Sequence, residues 1–207
     1  GEPELCRVFD VSRTVVRQAL TELEYEGVLT RVKGKGTFVA EPKLIGTYVQ
    51  NLAGTYRDLV STGHTPETQV LRQEVRPAVT KVAKYLEIEP SVPVIEIERI
   101  RSIKGTPILY GTTYLPYDLC PGIAKTDLTK ESLYAELNRQ YGYTIARGRR
   151  YIEAVLATKL EAELLGIEKG SPLILIDSIS YLEDGTPIEY FHIVHRGDRE
   201  RFVIDVV

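Results

Sequence analysis

The sequence contains no methionine, no tryptophan, two cysteines and three histidines. The two cysteines, Cys6 and Cys120, are far apart and too few for a disulfide framework. No apolar run has the length of a signal peptide or of a bilayer-spanning helix. These absences favour a protein of the reducing cytoplasm that has no membrane partner. Because the chain opens inside a motif described below, we expect its natural start to lie before Gly1.

What is present is ordinary for a folded chain. Of the 207 residues, 43% are hydrophobic and 27% are charged, which argues against disorder and leaves room for one large domain or two smaller ones. The net charge of -3 does not exclude a nucleic-acid partner, because binding to phosphates depends on the local distribution of charge.

Helical signals dominate the first part of the chain. "ELCRVF" (4–9) is a short helix candidate, and Ser12 in the turn "DVS" is placed to cap a second helix over 13–26. Steps of about 100° per residue divide the second helix into two sides, one that packs and one that presents cations. The apolar side consists of Val15, Val16, Ala19, Leu20 and Leu23, and the polar side of Arg13, Thr14, Arg17 and Thr21.

A hairpin is predicted directly after this helix. Gly27 suits a left-handed helix cap, and the strand candidates "VLTRV" and "TFVA" flank a turn over 33–36. Helix, turn, helix and hairpin together describe a winged helix–turn–helix. In that motif the second helix enters the DNA major groove and the hairpin tip contacts the backbone.

Two other interpretations compete for these residues. Arg13 and Arg17 taken alone would more often form a solvated helix face, and it is the order of the parts that favours DNA. The "GKGT" stretch at 34–37 resembles a phosphate-binding loop, but that motif needs a glycine where Leu29 stands and a helix after the loop. A nucleotide-binding switch therefore has little support.

An internal repeat organises the remainder of the chain. "TKVAKYLEIEPSVPVIEIERIRSIKGTPILYGTTY" from Thr80 aligns with "TKLEAELLGIEKGSPLILIDSISYLEDGTPIEYFHIVH" from Thr158. Each copy has the pattern of a short helix, a strand, a Gly-Thr-Pro turn and a returning strand, and a further strand precedes each. Duplicated βαββ units predict an α+β fold with one antiparallel sheet and helices against it. "SLYAELNRQYG" adds a helix between the copies.

Two arginines of the first copy are unusual. Arg99 and Arg101 alternate along a strand and project to the same side as Ile95 and Ile97. Buried cations need a counter-charge, which is either an internal partner such as Glu153 or Glu189 or a bound anion. Because two guanidinium forks suit a phosphate or a carboxylate, we favour a bound ligand.

The segment "ELCRVFDVSRTVVRQALTELEYEGVLTRVKGKGTFVA" closely resembles the DNA-binding part of the GntR family of bacterial transcription regulators. The first helix of the family motif is absent from the sequence. The resemblance implies a homodimer that binds a double-stranded DNA operator through the start of the second helix and the wing. The implied contacts are Ser12, Arg13, Thr14, Arg17, Lys33, Gly34 and Lys35.

"GTPILYGTTYLP", "SLYAELNRQYG", "IEAVLAT" and "GTPIEYFHIVHRGDRERFV" resemble the UTRA effector-binding domain of the HutC branch of that family, which has a fold similar to chorismate lyase. The resemblance implies a domain order of winged helix–turn–helix over 1–41, linker over 42–50 and effector domain over 51–207. Amino-sugar sensors of this branch tend to have a glutamate where this chain has Gly111, and we expect the missing side chain to leave room for a bulkier ligand. The predicted effector-binding residues are His64, Thr65, Arg99, Arg101, Ser132, Tyr134, Glu153, Glu189 and His195.

The leading hypothesis is a transcription repressor whose operator affinity is controlled by a small anionic metabolite such as a sugar phosphate. We expect no cofactor, no metal and no catalytic residue. The alternative is an enzyme of chorismate-lyase-like fold acting on a small carboxylate, for which the sequence offers no nucleophile beside a base. His192 and His195 lie three apart on a predicted strand, point to opposite faces and are not expected to share a metal.

Overall fold

The computed structural model describes residues 1–32 and 34–206, which divide into two compact units, Gly1–Leu44 and Ile45–Val207. Among the described residues, no helix combines the length and the apolarity needed to cross a bilayer.

The first unit contains two helices and a hairpin. Helix α1 (Glu2–Phe9) ends at Asp10, whose φ of 50° turns the chain, and helix α2 (Arg13–Tyr25) begins after Ser12. The Ser12 hydroxyl accepts a hydrogen bond from the backbone N–H of Val15 at 3.4 Å, as predicted for an N-cap. Strands β1 (Leu29–Val32) and β2 (Gly36–Val39) pair antiparallel. The helix–turn–helix with a following hairpin is therefore confirmed.

The apolar side of α2 is less covered than the sequence predicted. Val16 is buried, whereas Val15 and Leu23 are 51% and 36% exposed. The reason is that the described residues of this unit supply only α1 and one short hairpin against α2, so part of the predicted packing face has nothing over it.

A six-stranded antiparallel sheet forms the second unit. Its order is β4-β5-β6-β9-β8-β7, so that the two copies of the repeat supply one half each, and the predicted duplicated βαββ arrangement is confirmed. The strands are β4 (Pro66–Pro77), β5 (Pro93–Ile103), β6 (Thr106–Pro116), β7 (Arg147–Leu156), β8 (Pro172–Tyr181) and β9 (Pro187–Arg196). The repeated glycines Gly105 and Gly185 have φ of 72° and 87°, which explains why both hairpins place glycine there.

Helices cover both faces of this sheet. Helices α4 (Thr80–Leu86) and α6 (Lys159–Leu165), which belong to the repeats, pack on one face in separate apolar clusters. Helix α5 (Leu133–Tyr141) packs on the other face through Leu133 and Leu137, with the short 3-10 turns Tyr117–Leu119 and Pro121–Lys125 beside it. Helix α3 (Gly54–Ser61) precedes β4.

The segment predicted as a linker, residues 42–50, has regular structure of its own. Strand β3 (Leu44–Gly46) pairs with β10 (Glu200–Phe202), and Tyr48 is 1% exposed within the second unit. Residues from Ile45 onward therefore pack as part of the second unit, while the predicted domain limits 1–41 and 51–207 remain a prediction.

Candidate functional site

One pocket of the second unit lies between the sheet face that carries α5 and the first turns of α3 and α5. About 400 Å³ of space lies between its lining atoms, including the part that is open to solvent. Strands β5, β6 and β9 form its floor. Its polar lining comes from Tyr48, Thr55, Tyr56, Arg99, Arg101, Thr113, Ser132, Tyr134, Arg150 and Glu189.

Arg99 and Arg101 are the strongest charges in the pocket. They are 7% and 5% exposed, and Arg99 Nη2 donates to Thr113 Oγ1 at 3.2 Å. Each arginine keeps a buried Nη1 with no hydrogen-bond partner, and within the described residues no carboxylate lies within 4.0 Å of either guanidinium. Burial, and after it the charge of Arg99, lowers the pKa of Arg101 to about 9, so that Arg101 remains a cation near neutral pH. The pair therefore has no carboxylate in ion-pair contact, and the nearest acidic influence is the longer-range charge of Glu189 on Arg99.

Two helix N-termini open onto the same space. Gly54, Thr55 and Tyr56 at the start of α3 line the pocket, as do Ser132 and Leu133 at the start of α5. No side chain caps either helix, and the Ser132 hydroxyl is buried at the pocket wall. Uncapped first-turn N–H groups carry a partial positive charge and suit anions. Both helices thus add to the positive potential of the arginine pair.

Glu189, on β9, provides a hydrogen-bond acceptor in the pocket lining. Its Oε2 accepts hydrogen bonds from Tyr134 OH at 2.5 Å and from Ser180 Oγ at 2.8 Å. Burial raises the pKa of Glu189, although these two hydrogen bonds and the charge of Arg99 act against that shift. Among the described residues, Glu189 is the one acidic group in the lining.

A buried polar row stands behind the lining. The hydroxyl of Tyr48 lies 2.7 Å from His195 Nε2, and His195 Nδ1 lies 2.8 Å from Glu200 Oε2. Phe202 contacts the rings of both Tyr48 and His195 edge-on. Arg150 has its guanidinium carbon 5.6 Å from the Tyr48 ring centroid and donates from Nη1 to the Val49 carbonyl at 3.3 Å. Tyr48 is therefore fixed through its hydroxyl by His195 and through its ring by Phe202 and Arg150.

The structure brings five of the nine predicted effector-binding residues together in the pocket lining: Arg99, Arg101, Ser132, Tyr134 and Glu189. His195 lies one layer behind them, in contact with Tyr48. His64 and Thr65 lie in the turn after α3 and do not line the pocket.

Glu153 does not face the arginines. It lies on β7 three residues after Arg150, and because side chains alternate along a strand, it projects from the opposite face of the sheet. Glu153 is also exposed to solvent. Glu153 is therefore not the internal partner that was considered for Arg99 and Arg101. In the described part of the chain, Glu189 forms no ion pair with either arginine within 4.0 Å.

Gly111 has a different role from the one expected. A Cβ atom added there would lie 2.5 Å from the His192 carbonyl oxygen and 2.6 Å from both Cα and Cγ1 of Ile193. The space that a side chain would occupy is filled by β9, and Gly111 is not among the lining residues. Glycine at this position permits close strand packing and does not enlarge the pocket.

Sequence reasoning missed the lining residues Tyr48, Thr55, Tyr56, Thr113 and Arg150, and also Ser180, which hydrogen-bonds to Glu189. Two of these residues could have been predicted from strand pairing. Ser180 lies opposite Glu189 across the hairpin around Gly185, and Thr113 lies on the same strand face as Gly111, which is opposite Arg99. Tyr48 and Arg150 reach the pocket from segments that the repeat does not relate to it.

In the first unit, Ser12, Arg13, Thr14 and Arg17 are exposed at the start of α2. Within the described residues, neither Arg13 nor Arg17 forms an ion pair. Gly34 and Lys35 are exposed in the turn between β1 and β2, and the predicted contact Lys33 lies outside the described residues. The strand that follows this turn, where a phosphate loop has a helix, leaves the nucleotide-switch interpretation without its structural context.

Exposed cations on a helix–turn–helix unit, together with a pocket lined by buried arginines in a separate unit, are typical of a ligand-responsive DNA-binding regulator. The family model described as "Bacterial regulatory proteins, gntR family" matches residues 1–39, and the UTRA domain model matches residues 61–201. The chain belongs to the GntR family and fits its HutC branch.

Characterised relatives agree with this assignment. The HTH-type transcriptional repressor NagR of Bacillus subtilis is 34% identical over 203 residues, which cover 98% of this chain and 83% of NagR. The histidine utilization repressor of Pseudomonas putida is 31% identical over 203 residues, covering 97% of this chain and 79% of the relative. The crystal structure of PhnF from Mycobacterium smegmatis superposes with a TM-score of 0.75 at 30% identity, covering 100% of this chain and 90% of PhnF.

NagR, PhnF and the histidine utilization repressor are all named as repressors, and the family consists of transcription regulators and not of enzymes. The chain is accordingly a sequence-specific DNA-binding transcription regulator with a small-molecule effector domain.

Proposed function

We propose that the chain is a cytoplasmic transcription repressor that binds its operator as a homodimer and responds to a small anionic metabolite in the Arg99/Arg101 pocket. The proposal that the effector is an anion rests on one observation. Two buried guanidinium groups each keep an unpartnered Nη1, and both lie where two uncapped helices begin. Buried charges without a counter-charge are costly, and a bound phosphate or carboxylate offsets that cost.

The remainder of the effector meets a hydrogen-bond acceptor. Glu189 Oε2 is already oriented by Tyr134 and Ser180, and its carboxylate suits a ligand hydroxyl or ammonium group. A metabolite that carries both an anionic group and hydroxyl groups, such as a sugar phosphate, has a partner for each in this lining. The names of relatives refer to histidine utilization and to fructoselysine utilization, so repressors similar to this chain are linked to chemically different compounds.

Tyr48 is the residue through which a ligand would act on the DNA-binding unit. It lines the pocket and follows closely on the boundary between the two units after Leu44. A ligand that prefers one position of Tyr48 also prefers one arrangement of the preceding segment. Coupling of this kind requires different ligand affinities for two states, typically by about 1–3 kcal/mol.

DNA binding is assigned to the exposed start of α2 and to the hairpin turn. Ser12, Arg13, Thr14 and Arg17 would contact base edges and phosphates, and Lys33, Gly34 and Lys35 would contact the backbone. A single recognition helix reads too few base pairs for genomic specificity, which favours a dimer on a palindromic operator.

A thermal-shift screen tests the effector site. The intact chain is exposed to inorganic phosphate, sugar phosphates, phosphonates and small carboxylates, each compared with the variants Arg99→Ala, Arg101→Ala and Lys84→Ala. We expect hits in the parent chain that persist in the control Lys84→Ala, on the opposite sheet face, and vanish in both pocket variants. Saturation at 100 times Kd corresponds to about 2.7 kcal/mol of added stability. Hits that survive unchanged in Arg99→Ala and Arg101→Ala would contradict the assignment.

A further inference from the structure

Buried polar atoms without a hydrogen-bond partner gather on one face of the six-stranded sheet. Among the described residues they are Thr68 Oγ1, Arg99 Nη1, Arg101 Nη1, Arg150 Nε and Ser178 Oγ. Thr68 lies opposite Arg101 and Ser178 lies opposite Arg150, so both hydroxyls share the sheet face of the arginines, which line the effector pocket. Native proteins leave few buried polar groups unpaired. Their concentration here indicates a site for a ligand that carries several polar groups.

Arg150 reaches this pocket from the opposite half of the sheet. It lies on β7, whereas Arg99 and Arg101 lie on β5, and strands β6, β9 and β8 stand between the two. Four strand steps of about 4.8 Å place the backbones of β5 and β7 roughly 19 Å apart. Glu189 lies on β9, between them, and the charges of Arg99 and Arg150 both act against the raised pKa of its carboxyl. Arg150 is therefore a second cationic centre, separate from the arginine pair.

The groups that hold Arg150 in place do not neutralise it. Its Nη1 donates to the Val49 carbonyl at 3.3 Å, and its guanidinium carbon lies 5.6 Å from the ring centroid of Tyr48. Within the described residues, no carboxylate lies within 4.0 Å of this guanidinium, and its buried Nε has no partner. An oriented guanidinium with an unused donor suits a carboxylate or a phosphate.

We propose that the effector carries two separate anionic groups, one held by Arg99 and Arg101 and the other held by Arg150. Hydroxyl groups between the two anions face the carboxylate of Glu189. A phosphorylated sugar acid, with a phosphate at one end of its carbon chain and a carboxylate at the other, has this arrangement of groups. This inference rests on the proposed function and narrows the ligand class of that same site.

Glucitol phosphate and phosphogluconate, both phosphorylated at the same terminal carbon, are matched probes for the second anion. Both are open chains of equal length, and they differ at the far end, where phosphogluconate has a carboxylate in place of a hydroxymethyl group. In calorimetric titrations of the intact chain, phosphogluconate should bind at least about tenfold more tightly than glucitol phosphate. In Arg150→Gln this preference should disappear, while the affinity for glucitol phosphate should change by less than about threefold.

Two further variants separate a role in binding from a role in folding. Arg149→Gln changes the exposed neighbour of Arg150 on the opposite face of β7, and this matched control should keep the full preference for phosphogluconate. Arg150→Lys keeps a cation but loses the guanidinium fork, and it should retain part of the preference.

The remaining outcomes would overturn the proposal in distinguishable ways. Equal affinity of the parent chain for both probes would overturn the second anionic group and leave the anion site at Arg99 and Arg101 intact. An equal loss of affinity for both probes in Arg150→Gln would also overturn it, because Arg150 would then support the pocket without binding the carboxylate. A parent chain that binds neither probe nor inorganic phosphate would overturn the anion site of the proposed function as well.

Discussion

The hydroxyl group of Tyr48 lies 2.7 Å from Nε2 of His195, although 147 residues separate the two in the sequence. Through this contact a pocket-lining side chain near the start of the second unit is joined to the buried His195 and Glu200 pair. Contacts among Tyr48, His195 and Glu200 connect the proposed effector site to the segment that precedes Tyr48.

Replacement of Tyr48 by phenylalanine keeps the ring and removes this contact. We expect ligand affinity to change by only a few-fold, while the ligand-induced loss of operator affinity becomes smaller. The free energy of unfolding should fall by about 1–3 kcal/mol, because His195 is left with an unsatisfied ring nitrogen. Calorimetric ligand titration and DNA titration with and without ligand separate the two effects.

Tyr56→Phe is the control for this variant. It also removes a lining hydroxyl, which donates to the Lys130 carbonyl at 3.3 Å, but it leaves the His195 row intact. Equal loss of coupling in both variants would contradict a specific role for the Tyr48–His195 contact.

The arginine pair makes the empty pocket unfavourable. Replacing Arg101 with methionine removes a buried cation that, among the described residues, forms no ion pair, and it relieves its repulsion with Arg99. We expect the melting temperature without ligand to stay constant or to rise, because apolar replacements of buried charges are often neutral or stabilising. The same variant should show no stabilisation by anions. A large loss of stability without ligand would mean that Arg101 has a structural role.

Stability should depend on pH through Glu189. Burial raises the folded-state pKa of its carboxyl, so the folded state binds more protons than the unfolded state between the ordinary pKa of 4.5 and the raised value. The contribution of Glu189 to stability therefore falls as pH rises through that window. The melting temperature of the parent relative to Glu189→Gln should increase as pH is lowered toward 4.5. A constant difference between the two across this range would contradict the shift.

The glycine at position 111 should resist substitution. Gly111→Ala places a methyl group against the β9 backbone, and we expect a loss of about 1–3 kcal/mol in the free energy of unfolding. Gly148→Ala on β7 is the matched control, since the nearest atom to its added methyl is a Leu52 side-chain carbon at 3.3 Å, which is able to move. Denaturant unfolding of both variants measures the difference, and an equal cost would contradict the close-packing explanation.

The sequence was sufficient to predict the parts of the site that are local. The repeat predicted the sheet, and strand alternation placed Arg99 and Arg101 on one face. It did not locate Tyr48 or Arg150, because their positions depend on contacts between distant segments that no periodicity encodes. Glu153 was misplaced for a related reason: residue type alone does not tell which face of β7 is turned toward the pocket.

An anion held by Arg99 and Arg101 controls operator affinity in the proposed function. Fluorescence anisotropy of a labelled duplex from the protein's own promoter, titrated with the intact dimer with and without the best anionic hit of the screen, tests it most directly. We expect salt-sensitive binding that the ligand weakens at least fivefold in the parent chain. The double variant Arg99→Ala/Arg101→Ala should bind the operator with the affinity of the ligand-free parent and should show no ligand response. An unchanged ligand response in the double variant, or a ligand that stabilises the parent without altering its operator affinity, would contradict it.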